Sequence, residues 1–173
     1  MATIRTLSVL LLLPFLATPA VAGTITLAAA QDGTLYSQSG NIANGAGDYI
    51  FAGTTAQSAK RRALLRFDVA SAIPAGSTIV SAALVLNMSQ SAIGPVDVKL
   101  HRVLASWGEG ASNATGQEGT GTTAQAGDAT WTMRFFPSTP WTTAGGDFVA
   151  TPSAIHTFDF GPNDTWSSLT TAD

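Results

Sequence analysis

Short strand-length segments separated by Gly- and Pro-containing turns are the feature that most limits how this chain can fold. In the clearest one, after the turn Pro74-Ala75-Gly76, every second residue from Val80 to Met88 is apolar, which predicts a core-facing set. No segment shows a convincing amphipathic helical pattern, so we expect an all-β, antiparallel sandwich. Strands are predicted over residues 24–28, 34–37, 49–53, 62–69, 79–88, 97–104, 130–135 and 155–160.

The N-terminal residues are expected to be removed before folding. Arg5 precedes an apolar run that ends in the small residues Ala20-Val21-Ala22, which predicts a secretory signal peptide over residues 1–22. The run is shorter than the roughly 20 apolar residues that span a bilayer. We therefore expect residues 23–173 to form one exported domain, secreted or at the cell surface, without a transmembrane segment.

Charge and cysteine content exclude several classes of function. The formal net charge of −3 makes nucleic acid a poor partner. The chain has no cysteine, which rules out thiolate zinc sites and cysteine nucleophiles. Charged residues make up only 11% of the sequence, unlike the Glu/Lys-rich outer faces of a helical bundle.

The segment "KRRALLRFDVAS" carries basic residues where a strand is expected. Alternation places Ala63, Leu65, Phe67 and Val69 on a predicted core face. The opposite face would hold three basic side chains that match the anionic groups of an acidic glycan, and two more could extend this surface from a neighbouring strand. An ordinary solvated face, with Arg66 paired to Asp68 or to a cross-strand acid, is the alternative. The candidate ligand-binding residues here are Lys60, Arg62, Arg66, Lys99 and His101.

Three motifs together carry a family resemblance. "RRALLRFDVASAIPAGSTIVSAALVLNM", then "VKLHRVLASWGEG" and "DATWTMRFF", resemble secreted bacterial DNRLRE-domain proteins from about Asp32 to Phe160. The resemblance implies a jelly-roll sandwich of the carbohydrate-binding-module kind, related to modules that bind alginate or other acidic polysaccharides. Relatives usually continue past "TWSSLTTAD", so this domain is expected to lack its last strands.

Tryptophans are the second candidate binding device, because sugar rings stack on exposed indoles. The positions of Trp107 and Trp131 at expected strand ends favour a core role for both. Trp141 lies between Pro and Gly residues in "PSTPWTTAGGDF" and is the candidate exposed platform.

A structural calcium ion is the one cofactor that the sequence suggests. "NIANGAGDY" offers Asn44 and Asp48 on a Gly-rich turn, and oxygen ligands of this kind suit Ca²⁺. Turn chemistry explains the same residues equally well. Further hard oxygens are available from Glu109, Glu118, Asp128 and Asp147.

Residues 108–127 have no aromatic side chain and no aliphatic one larger than Ala, so they are not expected to contribute to a core. We expect disorder or an irregular excursion there. Glu109 with Glu118 or Asp128 could form a glycosidase pair, but no catalytic motif accompanies them. The favoured function is a non-catalytic polysaccharide-binding module. The alternatives are a structural or adhesive envelope protein and part of a polysaccharide-degrading enzyme.

Overall fold

The computed structural model describes residues 23–91 and 94–158, together with the backbone of Asp164–Ser167. The predicted signal peptide and residues 159–160 of the last predicted strand lie outside the described residues. The expectation that the domain lacks its last strands stays a prediction. The prediction of an all-β, antiparallel chain is confirmed. The strands are β1 Gln31–Tyr36, β2 Ile42–Ala43, β3 Gly53–Thr54, β4 Lys60–Arg66, β5 Ala83–Leu86, β6 Val96–Leu100, β7 Thr122–Thr123, β8 Met133–Phe135, β9 Thr139–Pro140, β10 Ala154–Phe158 and β11 Asp164–Ser167, and the helix is α1 Val69–Ala72.

The described strands form one three-stranded sheet, ordered β1-β4-β3, and four two-stranded sheets. In the larger sheet β1 and β4 pair over their whole shared length, from Gln31 opposite Arg66 to Tyr36 opposite Arg61. The smaller sheets are β10-β6, β11-β5, β2-β7 and β8-β9, all antiparallel. The jelly-roll order of a full sandwich stays a prediction.

Some predicted strand residues are not in strands because side chains accept hydrogen bonds from their backbone N–H groups. In the predicted strand 49–53, the Tyr49 N–H donates to the Glu118 carboxylate and the Phe51 N–H to Thr34 Oγ1, so these amides do not join a ladder. Residues 24–28 are also outside any strand. The strand predicted over 62–69 ends at Arg66, because Asp68 Oδ1 accepts from the Ser71 N–H and caps α1.

The predicted core face of β4 is wrong. Leu64, from the supposed outer face, is 6% exposed, whereas Val69 is 41% exposed and Leu65 and Phe67 are only half-buried. Leu64 belongs to the buried cluster with Leu35 of β1 and residues from the second half of the chain: Trp107, Ala129 and Trp141. The face of β4 that carries Arg62 and Leu64 is therefore an inner one, and Trp131 and Phe148 lie over Arg62.

The alternation predicted for residues 79–88 is correct over its C-terminal half. Leu84, Leu86 and Met88 are half-buried, and Val85 between them is exposed. At the start of the segment Val80 is 80% exposed, because residues 79–82 are not paired in a strand. Within the described residues no helix is both long and apolar enough to traverse a membrane.

Residues 108–127 are an ordered excursion, and the expectation that they lie outside the core is wrong. Ala114 and Ala124 are buried, and β7 within this segment pairs with β2. Ser112 is fully buried, where its carbonyl accepts from the Ala46 N–H at 2.8 Å and its Oγ accepts from the Gly45 N–H at 3.1 Å. The segment packs through buried polar contacts, which explains why its low apolar content did not predict its position.

Candidate functional site

Arg62 is the centre of the site that the fold assembles. Its side chain leaves β4 on the inner face, and the guanidinium carbon Cζ lies 4.9 Å from the centroid of the Trp131 ring and 4.8 Å from that of Phe148. Stacking on two rings is favourable for a guanidinium through cation–π attraction and contact with its apolar stem. All three residues are half-buried, so the group remains in contact with solvent.

The segment from Trp141 to Phe148 forms a loop over Arg62. The Asp147 carboxylate accepts from the N–H groups of Thr142 and Thr143, both at 2.9 Å. At the turn, the Gly145 N–H donates to the Trp131 carbonyl at 2.6 Å, and the Gly145 carbonyl accepts from Arg62 Nη1.

Glycine is required at position 145 of this loop. Its φ is +92°, a conformation that side chains rarely adopt, and a Cβ there would lie 2.5 Å from Arg62 Nη1 and 2.8 Å from the Trp131 ring. The loop can close on the guanidinium only because this position has no side chain.

The guanidinium of Arg62 has an incomplete set of partners. Of its N–H donors, one bonds to the Gly145 carbonyl, and the described residues supply no other acceptor and no carboxylate. Desolvation by burial lowers the pKa of Arg62 from its ordinary value. A half-buried cation without a counter-charge is costly unless a ligand supplies one.

His101 joins the same site through Phe148. The two rings meet edge to face, with centroids 5.1 Å apart and an interplanar angle of 67°. The imidazole Nδ1 lies 2.9 Å from the Val149 carbonyl oxygen. Val103 pairs with Phe148 in an antiparallel bridge, which brings the segment of His101 beside Phe148, and the Phe148 ring contacts both His101 and Arg62.

The other predicted basic residues lie apart from this site. Lys60 and Arg66 are exposed at the two ends of β4, and Arg66 Nη1 donates to Gln31 Oε1 at 3.1 Å rather than to Asp68. Lys99 lies opposite Ile155 on the exposed face of β6, and no described contact joins it to Arg62 or His101. The prediction that Arg62 lies on an outer face is wrong, and the expected continuous basic row is not formed.

The predicted roles of the tryptophans are partly reversed. Trp141 is 5% exposed, and its Nε1–H donates to the Thr130 carbonyl at 2.9 Å, so the prediction of an exposed platform is wrong. Trp107 is also 5% exposed, which confirms its core role. Trp131, predicted to be core, packs against the cluster but is only half-buried, and its ring lines the Arg62 site.

Of the two predicted calcium ligands, the Asn44 side chain has other partners, whereas Asp48 contributes a contact only through its backbone. Asn44 is buried, with Nδ2 donating to Glu118 Oε2 at 2.9 Å and Oδ1 accepting from the Ala114 N–H at 2.9 Å. The exposed Asp48 contributes its backbone N–H to Glu118 Oε1 at 3.1 Å. Among the residues described, no group of three or more His, Asp or Glu side chains has the arrangement of a metal site. Bound Ca²⁺ stays a prediction.

Glu118 has a structural role that the sequence did not predict. Desolvation by burial raises the pKa of its carboxyl. Hydrogen bonds from the Asp48 N–H, the Asn44 amide and the Tyr49 N–H together lower this pKa by more, so the net shift is downward. Glu118 also has a positive φ of 57°, which is uncommon for a residue other than Gly, Asn or Asp. The three donors explain why this buried carboxylate is tolerated.

The acidic residues considered for catalysis accept hydrogen bonds from backbone N–H groups. Asp128 is fully buried, and its two oxygens accept from the N–H groups of Ser112 and Gln125. Glu118 is occupied as described, and Glu109 accepts from the Asp32 N–H at 2.9 Å. Burial, followed by repulsion from Glu109, raises the pKa of Asp32.

Comparison with known proteins found no matching family model, no similar curated protein and no similar solved structure. The resemblance to DNRLRE-domain proteins therefore stays a prediction.

Proposed function

We propose that the chain is an exported, non-catalytic binding module that holds an anionic group of an acidic polysaccharide at Arg62. The incomplete pairing of Arg62 is the observation that carries this proposal. Its guanidinium is half-buried against Trp131 and Phe148, donates to the Gly145 carbonyl, and has no acidic partner among the described side chains. A sulfate or carboxylate would supply the missing acceptors in the fork geometry that guanidinium prefers.

The surrounding rings fit a sugar ligand in particular. Trp131 and Phe148 keep part of their surface exposed next to the cation, and the apolar C–H faces of sugars pack on aromatic rings. The rest of the chain offers little long-range attraction, since its net charge is −3. Binding should therefore depend on this local cation.

The test is affinity electrophoresis of the exported portion through gels that contain dextran sulfate, polygalacturonate or neutral dextran. Wild type should be retarded by at least one anionic polymer and not by dextran. Arg62→Met keeps an unbranched apolar stem and should weaken binding about tenfold or more. Arg102→Met removes the same charge at an exposed position and should change affinity less than about twofold.

Equal retardation of wild type and Arg62→Met would refute Arg62 as the contact. A chain that no anionic polymer retards would refute the function itself. Thermal unfolding of both variants shows whether a loss of binding reflects a loss of folding.

An adhesive or structural role is the second candidate, and exposed apolar side chains favour it. Val80, Val85 and Ile155 are between 56% and 80% exposed, and exposed apolar side chains can contribute to association surfaces. Sedimentation across a concentration series tests this role. Association that Val85→Lys abolishes would support it, and a monomer at all concentrations would refute it.

A further inference from the structure

His101 has a hydrogen bond that fixes which ring nitrogen carries the proton. Its Nδ1 lies 2.9 Å from the Val149 carbonyl oxygen. A carbonyl oxygen can only accept, so Nδ1 must be the donor. Neutral His101 is therefore the Nδ1–H tautomer, and its Nε2 carries a lone pair.

The second ring nitrogen of His101 is available to a ligand. Nε2 has no hydrogen-bond partner among residues 23–91 and 94–158, and the side chain is half-buried rather than enclosed. The Phe148 ring contacts both the imidazole, at 5.1 Å between centroids, and the Arg62 guanidinium, with Cζ at 4.8 Å. A ligand bound at Arg62 beside this ring would thus come close to His101.

We propose that His101 is a second contact of the Arg62 site and that its hydrogen-bonding role changes with protonation. Neutral Nε2 would accept a hydrogen bond from a ligand hydroxyl. Protonated Nε2 is an N–H donor on a cation and would bind a sulfate or carboxylate oxygen instead. Anion binding should then tighten as the pH falls. This inference rests on the proposed function, because it needs an anion held by Arg62.

The charged groups around His101 are consistent with this role. Arg62 lies across the Phe148 ring, and Lys99 and Arg102 flank His101 along its own segment. Asp147 precedes Phe148, but its carboxylate accepts from the Thr142 and Thr143 N–H groups. In the described surroundings no acid pairs with the imidazole, so the counter-charge for a protonated His101 would come from the bound anion. Binding should therefore take up a proton.

The first test measures dextran sulfate binding between about pH 8 and about pH 5.5, at constant ionic strength, where imidazoles change charge and sulfate does not. Wild type should bind about fivefold to tenfold more tightly at the lower pH. His101→Gln should lose this pH dependence. His156→Gln, the matched control on β10, should keep it.

The outcomes separate the two proposals. If His101→Gln keeps the wild-type pH dependence, the inference is overturned and the proposed function stands. If wild type binds no dextran sulfate at either pH, both are overturned for this ligand class.

A second measurement needs no variant, so it holds even if His101→Gln fails to fold. Long-range ¹H–¹⁵N correlation spectra of the wild-type chain at about pH 8 report the tautomer of each neutral histidine. We expect Nδ1–H for His101, and an Nε2–H tautomer would overturn the inference.

Discussion

Arg61 and Arg62 are neighbours on β4 that point to opposite faces of the sheet, and each reaches a glycine carbonyl in a distant segment. Arg61 stacks on Tyr36, with Cζ 4.8 Å from the ring centroid, and its Nε donates to the Gly119 carbonyl at 3.1 Å. Its Nη1 donates further to Gln38 Oε1 and to the Lys60 carbonyl. Arg62 stacks on two rings but bonds only to Gly145 among the described acceptors.

The partly buried arginine is therefore accommodated differently on the two faces of β4. On the Arg61 face, the buried side chains of Glu118 and Asn44 hydrogen-bond to each other, and residues 108–127, which contain Glu118, pack there without large apolar residues. On the Arg62 face, aromatic rings shield the cation and leave donors open. The comparison supports a structural role for Arg61 and is consistent with the binding role proposed for Arg62.

The largest effect on stability is expected from Glu118→Gln on the Arg61 face. Oε1 of Glu118 accepts from the Asp48 N–H and Oε2 from the Tyr49 N–H and Asn44 Nδ2, and glutamine would turn an N–H₂ group toward one set of donors. We expect a loss of about 3 kcal/mol in the free energy of unfolding, measured by urea titration. Glu109→Gln is the control, because Glu109 is only half-buried and accepts from the Asp32 N–H, and it should cost about 1 kcal/mol.

The same variant tests the acid sensitivity of this face. The folded pKa of Glu118 is lowered, so its contribution is present above the unfolded value, near 4.3, and is lost as the pH falls through the lower folded value. Wild type and Glu118→Gln should therefore differ most at neutral pH and converge in acid. A constant difference across the acid range would show that charge is not the cause.

A smaller effect is expected from exchanging the two arginines one at a time for methionine. Arg61→Met removes donors to Gly119, Gln38 and Lys60 and should lower the free energy of unfolding by about 2 kcal/mol, with little effect on polysaccharide binding. Arg62→Met should lower the free energy of unfolding by about 1 kcal/mol or less, because its stem still packs on the rings, but should weaken binding about tenfold or more. Urea titration and affinity electrophoresis measure the two quantities. If Arg61→Met lost binding and Arg62→Met retained it, the comparison would be reversed.

Local pattern predicted the strand class well and the faces poorly. Leu84, Leu86 and Met88 followed their alternation, and Trp107 was correctly placed in the core. The alternation pattern mispredicts the faces of β4 because it counts arginine as an outward-facing residue. The stem and planar head of arginine nevertheless pack well on aromatic rings. Nothing near Arg62 in the sequence reveals those rings.

The candidate site was only partly predictable, because it is built from contacts between distant parts of the chain. Arg62 and Gly145 are 83 residues apart, and Asn44 and Glu118 are 74 apart. Residue types alone identified Arg62 and His101 as candidates. Phe148 and the glycine turn that join them could not be assigned without the fold, since "AGGDF" predicts a turn but not what it covers.

The smallest effect is expected from Asp32→Asn, on the same face as Thr34 and Tyr36 of β1. Burial and the nearby Glu109 raise the pKa of Asp32, so its charge disfavours the folded state. A raised folded pKa contributes stability that is present below the unfolded pKa, near 3.9, and is lost as the pH rises through the folded value. The variant should therefore have a free energy of unfolding about 0.5 kcal/mol higher than wild type at neutral pH and no higher in acid. The gain is modest because the carboxyl group is partly exposed. Urea titration at both pH values would measure this gain, and a loss of stability at neutral pH would mean that the Asp32 charge has a favourable partner. The sign is opposite to that expected for Glu118, which separates a carboxylate with hydrogen-bond donors from one facing a like charge.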